Sequence, residues 1–357
     1  MITVKKLYKN RKLNISLKKC FCILSLTTVL TGCSFNAPLS SSNTMQTTTL
    51  FAMDTIMELQ AFGNEEVLPT AEGIIRDIEK KVSVTDENSE ICALNANGSN
   101  QLSDDTAELL SKALSICKKT DGALDISIYP VLKAWGFTTS EYQVPSDEAL
   151  SELLKNVDYN KVSLNKNTAS IEAGMQIDLG SVTKGYTSSR IAGYFRENGV
   201  TSGLINLGGN VECIGAKPNG EKWKVAIKSP YPDSKSGVFG VIEAEDVAII
   251  TSGGYERFFE DNGETYWHIL DPKTGCPAKN GLISVTIIGK DGLMCDGLST
   301  ALFVKGLDDS IAFWKDNQDF DAVFITDSGD VYVTEGISDT FKLTSEYYDH
   351  NITVIHK

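Results

Sequence analysis

Hydrophobic positions along this chain recur with two different periods. Residues 65–81 set Ile74, Ile75 and Ile78 at helical spacing among charged neighbours. Residues 105–118 (DTAELLSKALSICK) repeat that pattern with Leu109, Leu110, Ala113, Leu114 and Cys117, so both stretches predict amphipathic helices. SDEALSELLKN predicts a third, with Ser146 as its N-cap. Between the second and third lies DGALDISIYPVLKAWGF, which carries more aromatic and apolar residues than a surface loop requires. From residue 161 the character shifts toward strands. KVSLNKNTASIEA predicts a hairpin with an Asn in its turn, and IDLGSVTKGY predicts a strand passing through a Gly/Ser/Thr turn. That turn leads into the helix SSRIAGYFRENG, which Gly199 would end at the C′ position. GLINLGG, VECIGA, WKVAIKS, GVFGVIEA, VAIITSG and LISVTIIG read as strands. DGLSTALFVKG and LDDSIAFWKDNQ read as helices, and AVFITDSGDVYVTE as a hairpin turning over Ser328-Gly329. Helices and strands mix without a regular βαβ rhythm, which predicts an α+β fold rather than a doubly wound sheet. One large domain accommodates all of it.

Charge and cysteine placement change this picture at the N-terminus. The chain has 357 residues and a formal charge of −14, yet residues 1–33 hold seven basic residues and no acid. Beyond them 26 basic residues face 47 acidic ones, a balance of −21. A body that acidic repels nucleic-acid phosphates, so no nucleic-acid partner is expected, and an anionic substrate would need local help. The basic stretch runs into CFCILSLTTVLTGC, too short for a comfortable membrane span. Its end, Leu30-Thr31-Gly32-Cys33, resembles a bacterial lipobox. The expectation is therefore a signal peptide at 1–32, a lipidated Cys33, and an exported protein anchored to the outer face of the cell membrane. A Ser/Thr/Asn-rich tether at 33–46 would follow, then a catalytic-size domain at 47–345 and a tail at 346–357. Cys92, Cys117, Cys213, Cys276 and Cys295 remain, an odd number without metal-site spacing, which predicts mostly buried small residues and gives no support for a disulfide framework, leaving open whether any two pair.

Four stretches can carry chemistry. In LMCDGLSTALF (293–303), Asp296 and Thr300 stand four apart, on one helix face, with Ser299 beside them. A carboxylate and a hydroxyl suit a hard cation such as Mg²⁺, which takes few protein ligands; on the spacing alone, a helix cap and a hydroxyl bonded back to a carbonyl are the preferred account. IDLGSVTKGY, with Asp178, Ser181 and Lys184, could aim backbone N–H groups at phosphate or carbonyls at a metal. It lacks the Walker A spacing. Asn206-Leu207-Gly208-Gly209-Asn210 is a tight turn where backbone could approach a ligand. TSGGYERFF is followed by YWHILDP, which contains His268; the other two histidines, His350 and His356, lie close to the C-terminal end of the sequence.

Taken together and in order, AMDTIMELQAFG, DGALDISIYPVLKAWGF, IDLGSVTKGY, INLGGN, TSGGYERFF, YWHILDPKTG and DGLSTAL resemble the ApbE family, the FAD:protein FMN transferases. The resemblance spans roughly residues 47–340. It implies T-fold-like mixed sheets with packed helices and a Mg²⁺-dependent enzyme. Such an enzyme moves FMN from FAD onto a Thr or Ser hydroxyl of an acceptor protein and releases AMP. By the same resemblance Asp296, Thr300 and a main-chain carbonyl at Ser181 would hold the metal. Met53, Val84, Ala123, Leu124, Asp125, Asp178, Lys184 and Leu270 would contact FAD, with His268 or Asp178 in a catalytic role. Gly254 and Thr183 depart from the family, which often has a polar or acidic residue at the first position and a smaller one at the second. The acceptor is expected to carry a [DS]GA[TS]-like stretch and to be an electron-transfer protein. This chain has Asp121-Gly122-Ala123-Leu124 instead, so a separate protein is the expected acceptor. Two rivals share the site: an FAD pyrophosphatase yielding FMN and AMP, and a flavin-binding lipoprotein without catalysis.

Overall fold

The computed structural model describes residues 44–64, 66–317 and 319–357; the expected signal peptide, Cys33 and most of the expected tether lie outside these. In chain order the strands are β1 (Met45–Ala52), β2 (Thr55–Phe62), β3 (Ser99–Gln101), β4 (Ser163–Asn165), β5 (Thr168–Ser170) and β6 (Ser202–Leu207). They continue with β7 (Asn210–Ile214), β8 (Trp223–Lys228), β9 (Val238–Ala244), β10 (Ala248–Gly253), β11 (Phe258–Asp261) and β12 (Glu264–Trp267). The last are β13 (Leu282–Gly289), β14 (Phe320–Thr326), β15 (Val331–Thr334), β16 (Phe341–Leu343) and β17 (Ile352–Ile355). The helices are α1 (Val67–Val82), α2 (Glu90–Asn97), α3 (Asp104–Lys119), α4 (Tyr129–Ala134), α5 (Asp147–Leu154), α6 (Gly180–Glu197), α7 (Gly292–Lys305) and α8 (Leu307–Asp316).

A nine-stranded sheet in the order β1-β2-β6-β7-β10-β13-β14-β15-β17 forms the frame. Its neighbours pair antiparallel except β15 and β17, which run parallel. Period-two alternation sorts its side chains between two faces. Ile249, Ile288, Val323 and Ile325 pack with Val225, Ile242 and Phe341 of the small sheet β16-β9-β8. The intervening Ile250, Ile287, Ala322 and Phe324 face Leu298, Leu302 and Phe303 of α7 and Trp314 of α8. Farther along, Met57, Leu59, Ile205 and Leu207 meet Ile75 of α1 and Ile191 and Phe195 of α6. The architecture is thus the expected α+β domain, with helices on one face of a large sheet.

Most predicted elements lie where the periodicities put them, and the differences have local causes. Residues 346–357, expected as a tail, supply β17 at the edge of the main sheet. β1 begins at Met45, inside the expected tether, and zips along all of β2. No strand runs into Asp178, since residues 171–179 carry none. The Asn95 side chain bonds both the N–H and the C=O of Ile177, at 2.7 and 2.8 Å, and so replaces a strand partner. Helix α6 starts at Gly180, which puts Ser181 in its first turn rather than in a loop ahead of it.

The crossing of α6 and α7 positions the site. A Cβ on Gly185 would stand 2.2 Å from the Gly292 carbonyl oxygen and 2.7 Å from the Asp296 Cβ. A Cβ on Gly292 would stand 2.8 Å from the Gly185 carbonyl oxygen. Only paired glycines let the two backbones approach this closely. Gly193, two turns along the same helix, has nothing within 4 Å of a Cβ. Gly185→Ala is therefore expected to cost about 2–3 kcal/mol through overpacking, and Gly193→Ala to gain up to about 1 kcal/mol through helix propensity. Urea unfolding midpoints of the two variants check this contrast.

Candidate active site

Asp296 is not the helix cap. Asp291 takes that role, its carboxylate accepting from the Met294 N–H at 3.1 Å. Asp296 sits in the second turn of α7, only 6 % exposed, and its Oδ2 accepts from the Gly185 N–H at 2.8 Å. In a regular helix that N–H serves the carbonyl four residues back, here Ser181. The donor is thus contested between the Ser181 oxygen and Asp296. Burial pushes the Asp296 pKa up to about 6, opposed by the Lys184 ammonium, the Gly185 N–H and the Asn210 amide. Asn210, at the start of β7, is itself buried, and its Nδ2 makes no well-formed hydrogen bond.

One turn along α7, a chain of hydroxyls leads to Thr300. The Ser299 Oγ donates to the Asp296 carbonyl at 2.8 Å. Its single proton is then spent, so it accepts from Ser252 Oγ of β10, 2.7 Å away. Ser252 in turn accepts from Thr300 Oγ1 at 3.3 Å. This order leaves the Thr300 lone pairs unengaged, one helical turn from a buried carboxylate whose one well-formed hydrogen bond among the described residues comes from Gly185. Among the described residues, no three carboxylate, imidazole or thiol groups converge as a ready-made metal cage. The donor set present is one carboxylate, one hydroxyl and one contested carbonyl, which fits an ion that keeps most of its shell for water and phosphate oxygens.

The β11–β12 hairpin brings His268 to the same region. The Arg257 carbonyl accepts from the His268 N–H at 3.1 Å and lies 3.2 Å from its Nδ1. An acceptor at Nδ1 fixes the proton there and leaves Nε2 as the basic nitrogen. Desolvation first, then the Arg257 guanidinium and the Lys184 ammonium, hold the imidazole pKa down to about 3. Lys184 therefore acts on both Asp296 and His268, and links the two halves of the site. Asp178 precedes α6, with Oδ1 accepting from the Gly180 N–H at 2.8 Å. Burial raises its pKa, and Arg257 opposes the rise.

The remaining expected contacts sort into three kinds. Met53, Val84, Ala123 and Leu124 pack into one apolar cluster with Leu179 and Val182, directly under the start of α6. Asp125 is buried, and its carboxylate is committed to the chain. It accepts from the Ser127 N–H at 2.8 Å, the Ser127 hydroxyl at 2.6 Å and the Tyr159 N–H at 3.0 Å. Leu270 bridges to Pro277, but the flanking hydrogen bonds are made by Ile269 and Asp271. Its own N–H and C=O carry no hydrogen bond within the described residues, as a main-chain ligand contact requires. Gly254 is explained by Trp267, whose Cδ2 would stand 2.9 Å from a Cβ there. Thr183 bonds its hydroxyl to the Leu179 carbonyl at 2.7 Å, within α6. Asn210, Ser252 and Arg257 belong to the site although no spacing singled them out. Each lies in a quoted stretch, but only the tertiary fold gives it a neighbour.

Comparison with known proteins defines the class. The chain shares its fold with the ApbE protein of Thermotoga maritima, with a TM-score of 0.78, 30% identity, and coverage of 83% of this chain and 99% of that one. The apo flavinyl transferase ApbE of Pseudomonas stutzeri superposes with a TM-score of 0.73 at 26% identity, covering 86% and 96% of the two chains. The fold is that of the flavin transferases. The ApbE family model matches residues 53–324, and the chain belongs to the ApbE family. A relative in Haemophilus influenzae, an FAD:protein FMN transferase, is 31% identical over 293 residues, 79% of this chain and 84% of its own.

The raised Asp296 pKa has a measurable consequence. The folded carboxyl holds its proton more tightly than the unfolded one, so ionising it costs stability. Stability of the metal-free protein should fall as pH rises from 3.8 to about 6. Asp125, Asp178 and Glu212 are raised in the same sense. Asp296→Asn should therefore flatten the slope, by about 2–3 kcal/mol across the window, without abolishing it. Denaturant titrations at several pH values read this directly.

Proposed function

We propose that this protein is a Mg²⁺-dependent FAD:protein FMN transferase that attaches FMN through a phosphoester to a Thr or Ser hydroxyl of a separate acceptor protein. The observation that carries the reading is the buried Asp296 accepting from the Gly185 N–H at the α6–α7 crossing, with Thr300 one helical turn farther along α7 and the Ser181 carbonyl one turn back from Gly185 along α6. A half-satisfied buried carboxylate is costly by itself, and a divalent cation offsets that cost. When bound, Mg²⁺ would neutralise charge on the FAD pyrophosphate and on departing AMP. Asp296, Thr300 and the Ser181 carbonyl are the residues that would hold it. Lys184 adds a cation next to the same carboxylate, in a body whose overall charge repels an anionic substrate. Met53, Val84, Ala123 and Leu124 form the apolar floor of the FAD site, and the Leu270 main chain offers it a donor and an acceptor. Asp178 shapes the approach to the α6 N-terminus, where backbone N–H groups favour phosphate.

The transfer step needs one base. The acceptor hydroxyl oxygen forms a bond to the FMN phosphorus as the phosphorus–oxygen bond to AMP breaks. The electron pair leaves on the AMP phosphate, and the hydroxyl proton passes to His268 Nε2. His268 is neutral before substrate arrives, and a nearby pyrophosphate would raise its pKa toward the working range of a general base. The N-terminal sequence supports export and anchoring through a lipid on Cys33, which would present the site outside the cell membrane. Among the described residues, no helix is long and apolar enough to cross a membrane.

The test is to incubate the protein with FAD, Mg²⁺ and a peptide bearing Asp-Gly-Ala-Thr, and to weigh the products. A mass gain equal to FMN on the peptide is expected, and it should vanish with EDTA. Asp296→Ala should lower the rate at least about 100-fold while the protein stays folded. FMN and AMP released with no adduct would instead establish a pyrophosphatase. Unchanged turnover in Asp296→Ala would refute the metal assignment.

A further inference from the structure

Arg257 and His268 are opposite partners at the open end of the β11–β12 hairpin. The register pairs Phe258 with Trp267 and Phe259 with Tyr266, so the next pair outward is Arg257 with His268. Directly opposed residues of an antiparallel pair project to the same face, with Cβ atoms about 5 Å apart. That face is independently visible in the rings: Phe259 and Tyr266 stack at 5.3 Å, and Phe137 meets both Phe259, at 5.8 Å, and His268, at 6.3 Å. Phe258 and Trp267 lie on the other face, where Trp267 meets Phe303. The guanidinium of Arg257 thus emerges beside the imidazole. It is exposed and has no carboxylate within salt-bridge distance among the described residues. Its charge is nonetheless felt by Asp178 ahead of α6 and by His268. An unpaired cation between these groups, in a strongly acidic body, calls for an anionic partner.

We propose that the Arg257 guanidinium is a catalytic group that binds the phosphoryl group under transfer, on the same hairpin face as the His268 base. The inference rests on the flavin-transfer reading above. A base that takes the acceptor proton must stand beside the attacked phosphorus. A guanidinium projecting from the opposite residue then has the oxygens of that phosphoryl group in reach, in a geometry suited to paired N–H···O bonds. As the bond to AMP breaks, charge on those oxygens shifts and the guanidinium stabilises it. The Arg257 backbone acts separately, because its carbonyl orients His268. Replacing the side chain leaves that carbonyl in place, so the two roles come apart by mutation.

The experiment compares wild type, Arg257→Lys and Arg257→Ala with FAD, Mg²⁺ and the Asp-Gly-Ala-Thr peptide. Expected is a fall in kcat of about 100-fold in Arg257→Ala and a smaller one in Arg257→Lys. The FAD KM should change little, and Mg²⁺ affinity and thermal stability should not change. The groups whose charge acts on His268 are Arg257 and Lys184. Removing the first should move the acid limb of the pH–rate profile upward. A wild-type kcat with an unmoved acid limb in Arg257→Ala overturns the proposal. So does a loss confined to KM, which would mark ordinary substrate binding. A wild-type protein that yields no adduct refutes the flavin-transfer reading itself, a result seen before any variant is compared.

Discussion

The contact on which the site depends is the near-touching of two helix backbones at Gly185 and Gly292. It places a carboxylate from α7 against a backbone N–H in the second turn of α6. The arrangement is reinforced from below by a buried acid on the main sheet. Glu212 of β7 accepts from the Ser188 and Ser189 hydroxyls at 2.8 and 3.3 Å, and Ser189 accepts from the Gly292 N–H at 3.0 Å. Sheet, α6 and the start of α7 are thereby tied at one point, one turn before Asp296. Preorganisation of that kind would let a single carboxylate hold a cation where a looser scaffold would need several.

Electrostatics then divide the labour. The protein as a whole is strongly acidic, yet its candidate site collects Lys184 and Arg257 around Asp296, Asp178 and His268. Desolvation raises the carboxylate pKa values and lowers that of the imidazole, so neither sign of charge is fully compensated there. A substrate with two phosphates and a divalent cation would satisfy both deficits at once. The same polarity explains why the site is built on helix starts and a hairpin end, where backbone groups are available to a ligand.

Much of this was legible in the sequence, because the informative signals are local. The four-residue spacing of Asp296 and Thr300 set their common face, and the apolar runs VAIITSG and LISVTIIG marked strands whose two faces lie in different cores. Where local signals failed, a distant group had replaced a local backbone partner. Asn95 stands in for a strand beside Ile177, and the short Ile352–Ile355 segment becomes β17 only because β15 offers a parallel edge. Asp125 reads as part of an FAD-contacting segment, and its carboxylate braces that segment at Tyr159. Arg257 has no spacing to mark it, since its place beside His268 comes from hairpin register and its electrostatic effect on Asp178 from the tertiary fold.

The central claim is that Asp296 and Thr300 hold a divalent ion shared with the pyrophosphate of FAD. Anomalous diffraction from crystals grown with FAD and Mn²⁺ in place of Mg²⁺ addresses it directly. The account predicts a single strong peak within coordination distance of an Asp296 carboxylate oxygen and of a phosphate oxygen, with Thr300 and the Ser181 carbonyl as further ligands. Ordered FAD with no anomalous peak at Asp296, or a peak held by other residues, would contradict it.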